Sequence, residues 1–475
     1  MRRLALLALG LALGLAAPAG AFAPTDPFVP RQWYLAANHT YDAWPSSPQF
    51  SPVRIAIVDS GIDAGHPELE SHIVAARSFV GGSARVDTDG HGTFVAGLIA
   101  ANVDDGLGIA GSFPAAQLVI AKAVAPDGTI PEGAEARAIR WAVDEHARVI
   151  NLSFGGLRDP VHRSRDTFST SEADAVDYAI AHHVVVVAAV GNGDQAPQEP
   201  WPFASYPAAL PHVLGVSAYT RDGVVPDFSN RDPLLNDIAA PGQGILSTFP
   251  RSLTADRPNC AEQGYSSCGP EEFRAAEGTS FAAPQVAAAA AMLISLEPSL
   301  TSDQVTYLLE RSATDLDPLT GCDRCPVGRD ALSGWGRLDV AAAVASLTGP
   351  LPMPDSLEPN DGVGNHAATL WGASRTVTAT VDYWDDPNDV YRVRLRRGQS
   401  LFAVLSGPVT GDVSLALWPP ETTNLDQPGG PLGVAKRRSA TQRLAYRATA
   451  GGFYYLVVVT KTPGSGAYRL ELAKS

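Results

Sequence analysis

Four near-continuous apolar runs, each closing on small or polar residues, constrain this chain more than any other feature. They are VRIAIVD (53–59), QLVIAKAV (117–124), ARVINLSFG (147–155) and HHVVVVAAVGN (182–192). A strand that is apolar at successive positions must be covered on both faces, the condition of a buried parallel sheet. Between the runs lie stretches with helical spacing: GTFVAGLIAA (92–101), EGAEARAIRWAVDEH (132–146) and SEADAVDYAIAHH (171–183). Strands alternating with helices predict an α/β fold, a parallel sheet with helices on both faces. Such sheets carry their sites at the carboxyl ends of the strands.

After Leu347 the pattern changes. LPMPDSLEPNDGVGN (351–365) is rich in Pro, Asp, Asn and Gly and reads as a linker. Beyond it the apolar period falls to two, in SRTVTATVDY (374–383), DVYRVRLRRG (389–398), SLFAVLSG (400–407), DVSLALWP (412–419), GGFYYLVVVT (451–460) and GAYRLELA (466–473). Turn residues separate these strands, so residues 366–475 are expected to form a small all-β sandwich. A length of 475 residues accommodates two or three domains.

The N-terminus reads as a secretory signal peptide over residues 1–21. Arg2 and Arg3 precede an apolar run, Leu4 to Ala17, and an A-x-A end follows. That run is shorter than the about 20 residues a membrane span needs, and no later stretch reads as a transmembrane helix. Export is therefore expected, with residues 22–350 as the first folded domain behind a short extension. The net charge of −15 favours solubility and disfavours nucleic acid and anionic membranes as partners. Four cysteines, Cys260, Cys268, Cys322 and Cys325, allow three disulfide connectivities, of which the local pairs 260–268 and 322–325 are expected. A zinc or redox role for C-x-x-C finds no nearby His in support.

Four residues stand where such a fold places chemistry. Asp59 closes the first apolar run; it also suits a turn beside Gly61. His91 opens a helix after DTDG (87–90) and can serve as a general base near neutral pH, or simply as a surface or capping histidine. Asn192 ends the fourth run, where its amide can donate to a developing oxyanion or occupy a left-handed turn. Ser280, in EGTSFAAPQVAAAAAMLISL (277–296), stands at a helix start, where amide dipoles favour negative charge and where capping serines are also common. Pro284 is tolerated there only in the first turn.

Taken together, VDSGID (58–63), DGHGTFVAGLIAA (89–101), VVVAAVGN (185–192) and GTSFAAPQVAA (278–288) resemble the signature segments of subtilisin-like serine proteases, in that family's order. GWGRLDVAAAV (334–344) resembles the family's last helix, so the likeness runs over roughly residues 25–345. The resemblance implies a secreted serine endopeptidase with Ser280 as nucleophile, His91 as base, Asp59 orienting the imidazole and Asn192 as oxyanion donor. It implies that Ser153, Phe154 and Gly155 pair with an extended peptide or protein substrate, with Ala189, Val190 and Gly191 as a pocket wall. No carboxylate lies in those wall segments, so an apolar residue is expected before the scissile bond. It implies a structural calcium held by Asp26, Glu68 and Asp105 through side chains and by Val103, Leu107 and Ile109 through carbonyls. Catalysis needs no cofactor. The C-terminal segment resembles the pre-peptidase C-terminal domain of secreted bacterial peptidases, a binding or processing module.

The sequence departs from the family twice. No chaperone-like pro-segment is expected between the signal peptide and Val53, and Phe94 stands where the family often has a second histidine. Phe94, one turn from His91, is expected to pack against the imidazole. A nucleotide-binding reading fails because DSGIDAG (59–65) lacks G-x-G-x-x-G spacing. A catalytically silent adhesion protein on the same fold would ordinarily have lost one of the four residues. The enzyme is expected to act as a monomer.

Overall fold

The computed structural model describes residues 22–42, 44, 50–131, 133–193, 196–254, 272–425, 427–436 and 441–475. The expected signal peptide and the expected Cys260–Cys268 pair lie outside the described residues. Seven strands form one parallel sheet: β1 (Val53–Asp59), β2 (Ile73–Ser78), β3 (Ala116–Lys122), β4 (Val149–Leu152), β5 (Val185–Ala189), β6 (Val213–Tyr219) and β7 (Ile238–Pro241). Their order is β2-β3-β1-β4-β5-β6-β7. The helices of this domain are α1 (Trp33–Ala37), α2 (His91–Ala100), α3 (Ala134–Asp144), α4 (Thr170–Ile180), α5 (Ala283–Leu296), α6 (Ser302–Arg311) and α7 (Val340–Ser346). Strands β8 (Ile245–Thr248) and β9 (Phe273–Ala276) pair as a separate antiparallel ribbon.

Two cores lie on opposite faces of the sheet. Ile55 and Ile57 of β1 join α2 and α5 in one; Ala56 and Val58 join α3 and α4 in the other. This is the period of two acting on a strand buried on both sides. Asp59 continues the Ile55–Ile57 series and so projects toward the α2 face. The Thr279–Leu296 stretch meets the length and apolarity of a membrane span, contrary to the sequence reading. It is the central helix of the first core, 89% buried within the fold, and its apolar composition reflects burial in protein.

Residues 366–475 form the expected sandwich. A five-stranded sheet runs in the order β10 (Ala368–Thr369), β12 (Asn388–Leu395), β17 (Gly452–Thr460), β14 (Val413–Trp418) and β15 (Gly433–Lys436). A four-stranded sheet runs β11 (Ser374–Asp382), β18 (Ser465–Lys474), β13 (Ser400–Ser406) and β16 (Thr441–Arg447). Alternate residues such as Tyr391, Val393, Leu470 and Leu472 meet between the sheets. Strands β10, β15 and β16 escape the sequence reading. The connecting segment 351–365 is docked: Pro352 accepts from Gln304 Nε2 at 2.8 Å and Asp355 accepts from the Thr380 N–H at 2.8 Å. Cys322 and Cys325 are joined as expected.

Helix α2 lies close to the β8–β9 ribbon. Ser247 and Thr248 donate hydroxyl hydrogen bonds to the Phe94 and Thr93 carbonyls at 2.6 and 2.7 Å. A Cβ on Gly97 would meet Thr248 Oγ1 at 2.3 Å and Ser247 Oγ at 2.5 Å. Neither hydroxyl can retreat without breaking its bond. Gly97→Ala is therefore expected to destabilise by about 1–3 kcal/mol through overpacking. Thermal unfolding should show a midpoint lowered by several degrees; an unchanged midpoint would refute the tight approach.

Candidate active site

The site assembles at the carboxyl end of the sheet, from both sides of β1. Asp59 is the last residue of β1 and 2% exposed; His91 is the first residue of α2. The His91 Nδ1 stands 2.9 Å from each Asp59 carboxylate oxygen. The Ser60 N–H also donates to Asp59 Oδ1, at 2.7 Å. Burial of the His91 ring pulls its pKa down. The charge and hydrogen bond of Asp59, with Asp89 and Asp87 behind, outweigh that and push it up to about 9.

Asp87, which the sequence reading passes over, fixes the start of α2. Its Oδ2 accepts from the Thr93 N–H and hydroxyl at 2.9 and 2.7 Å. Its Oδ1 accepts from Gly90 N–H and Ser60 Oγ at 2.8 and 2.9 Å, and Ser60 Oγ in turn accepts from the Gly92 N–H. The signal was the acid-rich D-T-D-G before a helix start, a capping pattern. Phe94, expected to pack against the imidazole, stacks on the ring that faces it. The ring beside His91 is Phe281, with centroids 5.3 Å apart, and Phe94 lies behind it at 4.5 Å.

Ser280 lies at the centre of a 3₁₀ turn, Thr279–Phe281, that leads into α5. Its carbonyl accepts from Ser153 Oγ at 2.7 Å, and that hydroxyl accepts from Asn151 Nδ2 at 2.9 Å. Gly278 holds φ at +144°, where a Cβ would stand 3.3 Å from Asn192 Nδ2. The Asn192 side-chain oxygen accepts from both the Thr279 N–H and hydroxyl at 3.0 Å. That bonding turns the amide so that Nδ2, a donor, faces away from Thr279. No hydrogen bond joins His91 to Ser280; the two approach through Phe281. Catalytic hydrogen bonds of this kind often close only with substrate in place.

Ser280 and Asn192 line one cavity of 680 Å³ together with Ser153, Phe154, Gly155, Ala189 and Gly191. Val190 does not belong to that wall. Its side chain is fully buried in the α3–α4 core, because alternate residues of a strand end point to opposite faces. The backbones of Phe154 and Gly155, beyond the end of β4, have no backbone partner among the described residues. The cavity wall also carries two carboxylates, Glu135 and Glu172, that the sequence reading did not place there.

The loop after α2 gathers acids around its own backbone. Asp26 accepts from the Asp104 and Gly106 N–H groups at 2.9 and 3.2 Å. Glu68 is 1% exposed, and its Oε1 accepts from the Ile109 N–H at 3.4 Å while its Oε2 is buried without a partner. Burial, with the nearby Asp105 charge, pushes the Glu68 carboxyl up to about 8. Asp105 Oδ1 accepts from the Leu107 N–H at 2.8 Å. A buried carboxylate with an orphaned oxygen among oxygen-rich groups fits a hard cation.

A sequence profile of the Subtilase family matches residues 51–336, more than half of the chain. Subtilisin E of Bacillus subtilis (strain 168) is 34% identical over 295 residues, 62% of this chain and 66% of that protein. Subtilisin DY of Bacillus licheniformis is 34% identical over 265 residues, 56% of this chain and 84% of that protein. Fervidolysin of Fervidobacterium pennivorans is 32% identical over 321 residues, 64% of this chain and 42% of that protein. A solved structure described as proteases from Pseudoalteromonas arctica PAMC 21717 aligns with a TM-score of 0.55 at 25% identity, over 68% of this chain and 99% of that one. The chain spans 66% of the length of Subtilisin E. By this match the chain belongs to the subtilase family.

Proposed function

We propose that this protein is an exported serine endopeptidase that cleaves peptide and protein substrates through Asp59, His91 and Ser280. The observation that carries this reading is the Asp59–His91 pair, bonded at 2.9 Å and joined through Phe281 to a serine on the rim of a substrate-sized cavity. Ser280 Oγ attacks the scissile carbonyl and His91 Nε2 takes its proton. Asp59 holds the Nδ1–H and stabilises the imidazolium. Asn192 Nδ2 donates to the oxyanion as it forms. His91 then returns the proton to the leaving amine, and water hydrolyses the acyl-enzyme by the same route. An extended substrate pairs with the free backbone of Phe154 and Gly155, and Ala189 and Gly191 take an apolar residue before the scissile bond. The C-terminal sandwich serves binding or processing.

A fluorophosphonate probe should label the wild type and not Ser280→Ala; label surviving that substitution refutes the assignment. Equal casein clearing by both proteins, or none by either, favours the silent adhesion reading. Asn192→Ala should lower kcat by about 100- to 1000-fold, a magnitude for which subtilisin itself is the source example.

Only neutral imidazole can accept the Ser280 proton, and the free base of His91 accumulates only above its raised pKa. The kcat/KM on an uncharged peptide is therefore expected to rise with pH through an apparent pKa above 6.5, toward about 9. Removing the Asp59 charge leaves burial as the main influence, so Asp59→Asn should bring that pKa below 6.5, read by NMR titration in the Ser280→Ala background. A His91 that titrates alike in both proteins would refute the coupling.

Calcium would be held by Glu68, Asp26 and Asp105 with carbonyls of Val103, Leu107 and Ile109, and would neutralise the buried acids of that loop. At calcium one-hundred-fold above its Kd such binding adds about 2.7 kcal/mol to stability. Thorough chelation should lower the melting temperature of the wild type and have little effect on Glu68→Gln. An unchanged wild-type melting temperature would refute the site.

A further inference from the structure

The cavity does not end at Ser280. It crosses the carboxyl edge of the sheet to the other face, where the first turns of α3 and α4 close it. There Glu135, the second residue of α3, and Glu172, the third of α4, share its wall with Ile130, Pro131 and Phe154. Glu172 is 7% exposed, and the Glu135 Oε1 is buried without a hydrogen-bond partner. Burial raises the pKa of both carboxyls, Glu135 most strongly, and the charge of Glu172 adds to the rise at Glu135. Two neighbouring acids in one cavity wall resist ionising together unless a cation joins them.

No side chain of the described residues supplies that cation. Arg158 is committed to Asp232 at 2.9 Å and Arg165 to Asp159 at 2.8 Å. A structural role also fails to account for Glu172. Ser169 caps α4 by accepting from the Glu172 N–H at 3.4 Å. A glutamate at that position ordinarily folds back onto the N–H of the cap. Glu172 forms no such return bond, and its side chain lines the cavity with Glu135. Both acids sit in the first turns of 11-residue helices, where helix dipoles favour the anionic form once a counter-charge arrives.

We propose that Glu135 and Glu172 form a subsite that accepts a cationic side chain, lysine or arginine, of the peptide substrate. Two carboxylates side by side match the fork of a guanidinium or take one ammonium between them. Ile130, Pro131 and Phe154 suit the aliphatic stem. The acids lie across the sheet from α5, whereas Ala189 and Gly191 flank Ser280. The basic residue is therefore one further upstream in the substrate, and not the residue next to the scissile bond. The inference rests on the endopeptidase reading and names the substrates that reading leaves open.

The test is a set of internally quenched peptides in which each position upstream of the bond carries Arg, Lys or Leu in turn. The wild type should cleave a peptide with Arg or Lys at one upstream position about tenfold or more faster in kcat/KM than its Leu counterpart, the scale of a desolvated charge pair. That ratio should collapse in Glu135→Gln/Glu172→Gln. Ratios near one at every position in the wild type, or a ratio unaltered in the double variant, overturn the subsite. A binding arm separates the two readings. Ser280→Ala, which cannot turn over, should bind the preferred Arg peptide about tenfold more tightly than the Leu peptide by fluorescence anisotropy. Selective binding by Ser280→Ala without any cleavage by the wild type sinks the endopeptidase reading and keeps the subsite. Cleavage without selectivity does the reverse.

Discussion

Everything at this site depends on how closely α2 can approach the end of β1. A Cβ on Gly92 would lie 2.2 Å from the Gly61 carbonyl oxygen and 3.2 Å from the Asp59 side chain. Only a residue without a Cβ permits that approach, and the approach is what sets His91 against Asp59. The acid must be fixed first, because a buried carboxylate tolerates only a partner that arrives in register. Asp59 gains that fixity from β1, which is paired on both sides by β3 and β4. Asp87 then fixes the helix start by accepting from Asp89, Gly90 and Thr93 and ties it to Ser60, so neither member of the pair rests on a free loop.

The same geometry decides what the sequence could and could not disclose. Strand β1 was legible to the residue, Val53–Asp59, because a strand buried on both faces is apolar from Ile55 to Val58 without a break. Asp59, His91, Asn192 and Ser280 were legible as ends of elements, since strand and helix termini are where periodicity breaks. Val190 was misplaced because apolarity alone does not say which face of a strand end a side chain takes. Strands β15 and β16 were lost among basic and turn residues, where no period of two stands out.

The Glu135–Glu172 pair was illegible for a different reason. Each acid alone reads as an ordinary first-turn glutamate, favoured by its own helix dipole. The two are 37 positions apart in the chain. What makes them unusual is the packing of α3 against α4, over β1, β3 and β5, a long-range contact with no local trace. Glu68 shares this character. Its segment marked it as a ligand by resemblance, yet its orphaned oxygen exists only because the loop after α2 folds over it. In both places an uncompensated buried acid is the observation behind the proposal, of a calcium ion at one and a basic side chain at the other.

The β-sandwich docks through charge, and it docks on the elements that shape the site. Arg311 of α6 reaches Asp382 at 2.9 Å and lies over the Trp335 ring at 3.7 Å. Burial depresses His212, but Asp361, Asp303 and Glu358 outweigh it and hold the imidazolium well above its usual range. On α4, Asp177 bonds to His366 of the sandwich side and Asp174 stands 3.4 Å from the same ring. Glu172 is only five residues before Asp177, a separation of about 7.5 Å along a helix that rises 1.5 Å per residue. One short helix therefore presents an acid to the substrate cavity at its start and acids to the second domain a turn later. Taking the sandwich away strips α4 of the imidazole on Asp177 and Asp174 while Glu172 keeps its place in the cavity wall. The two domains are thus joined at the helix that would read the substrate.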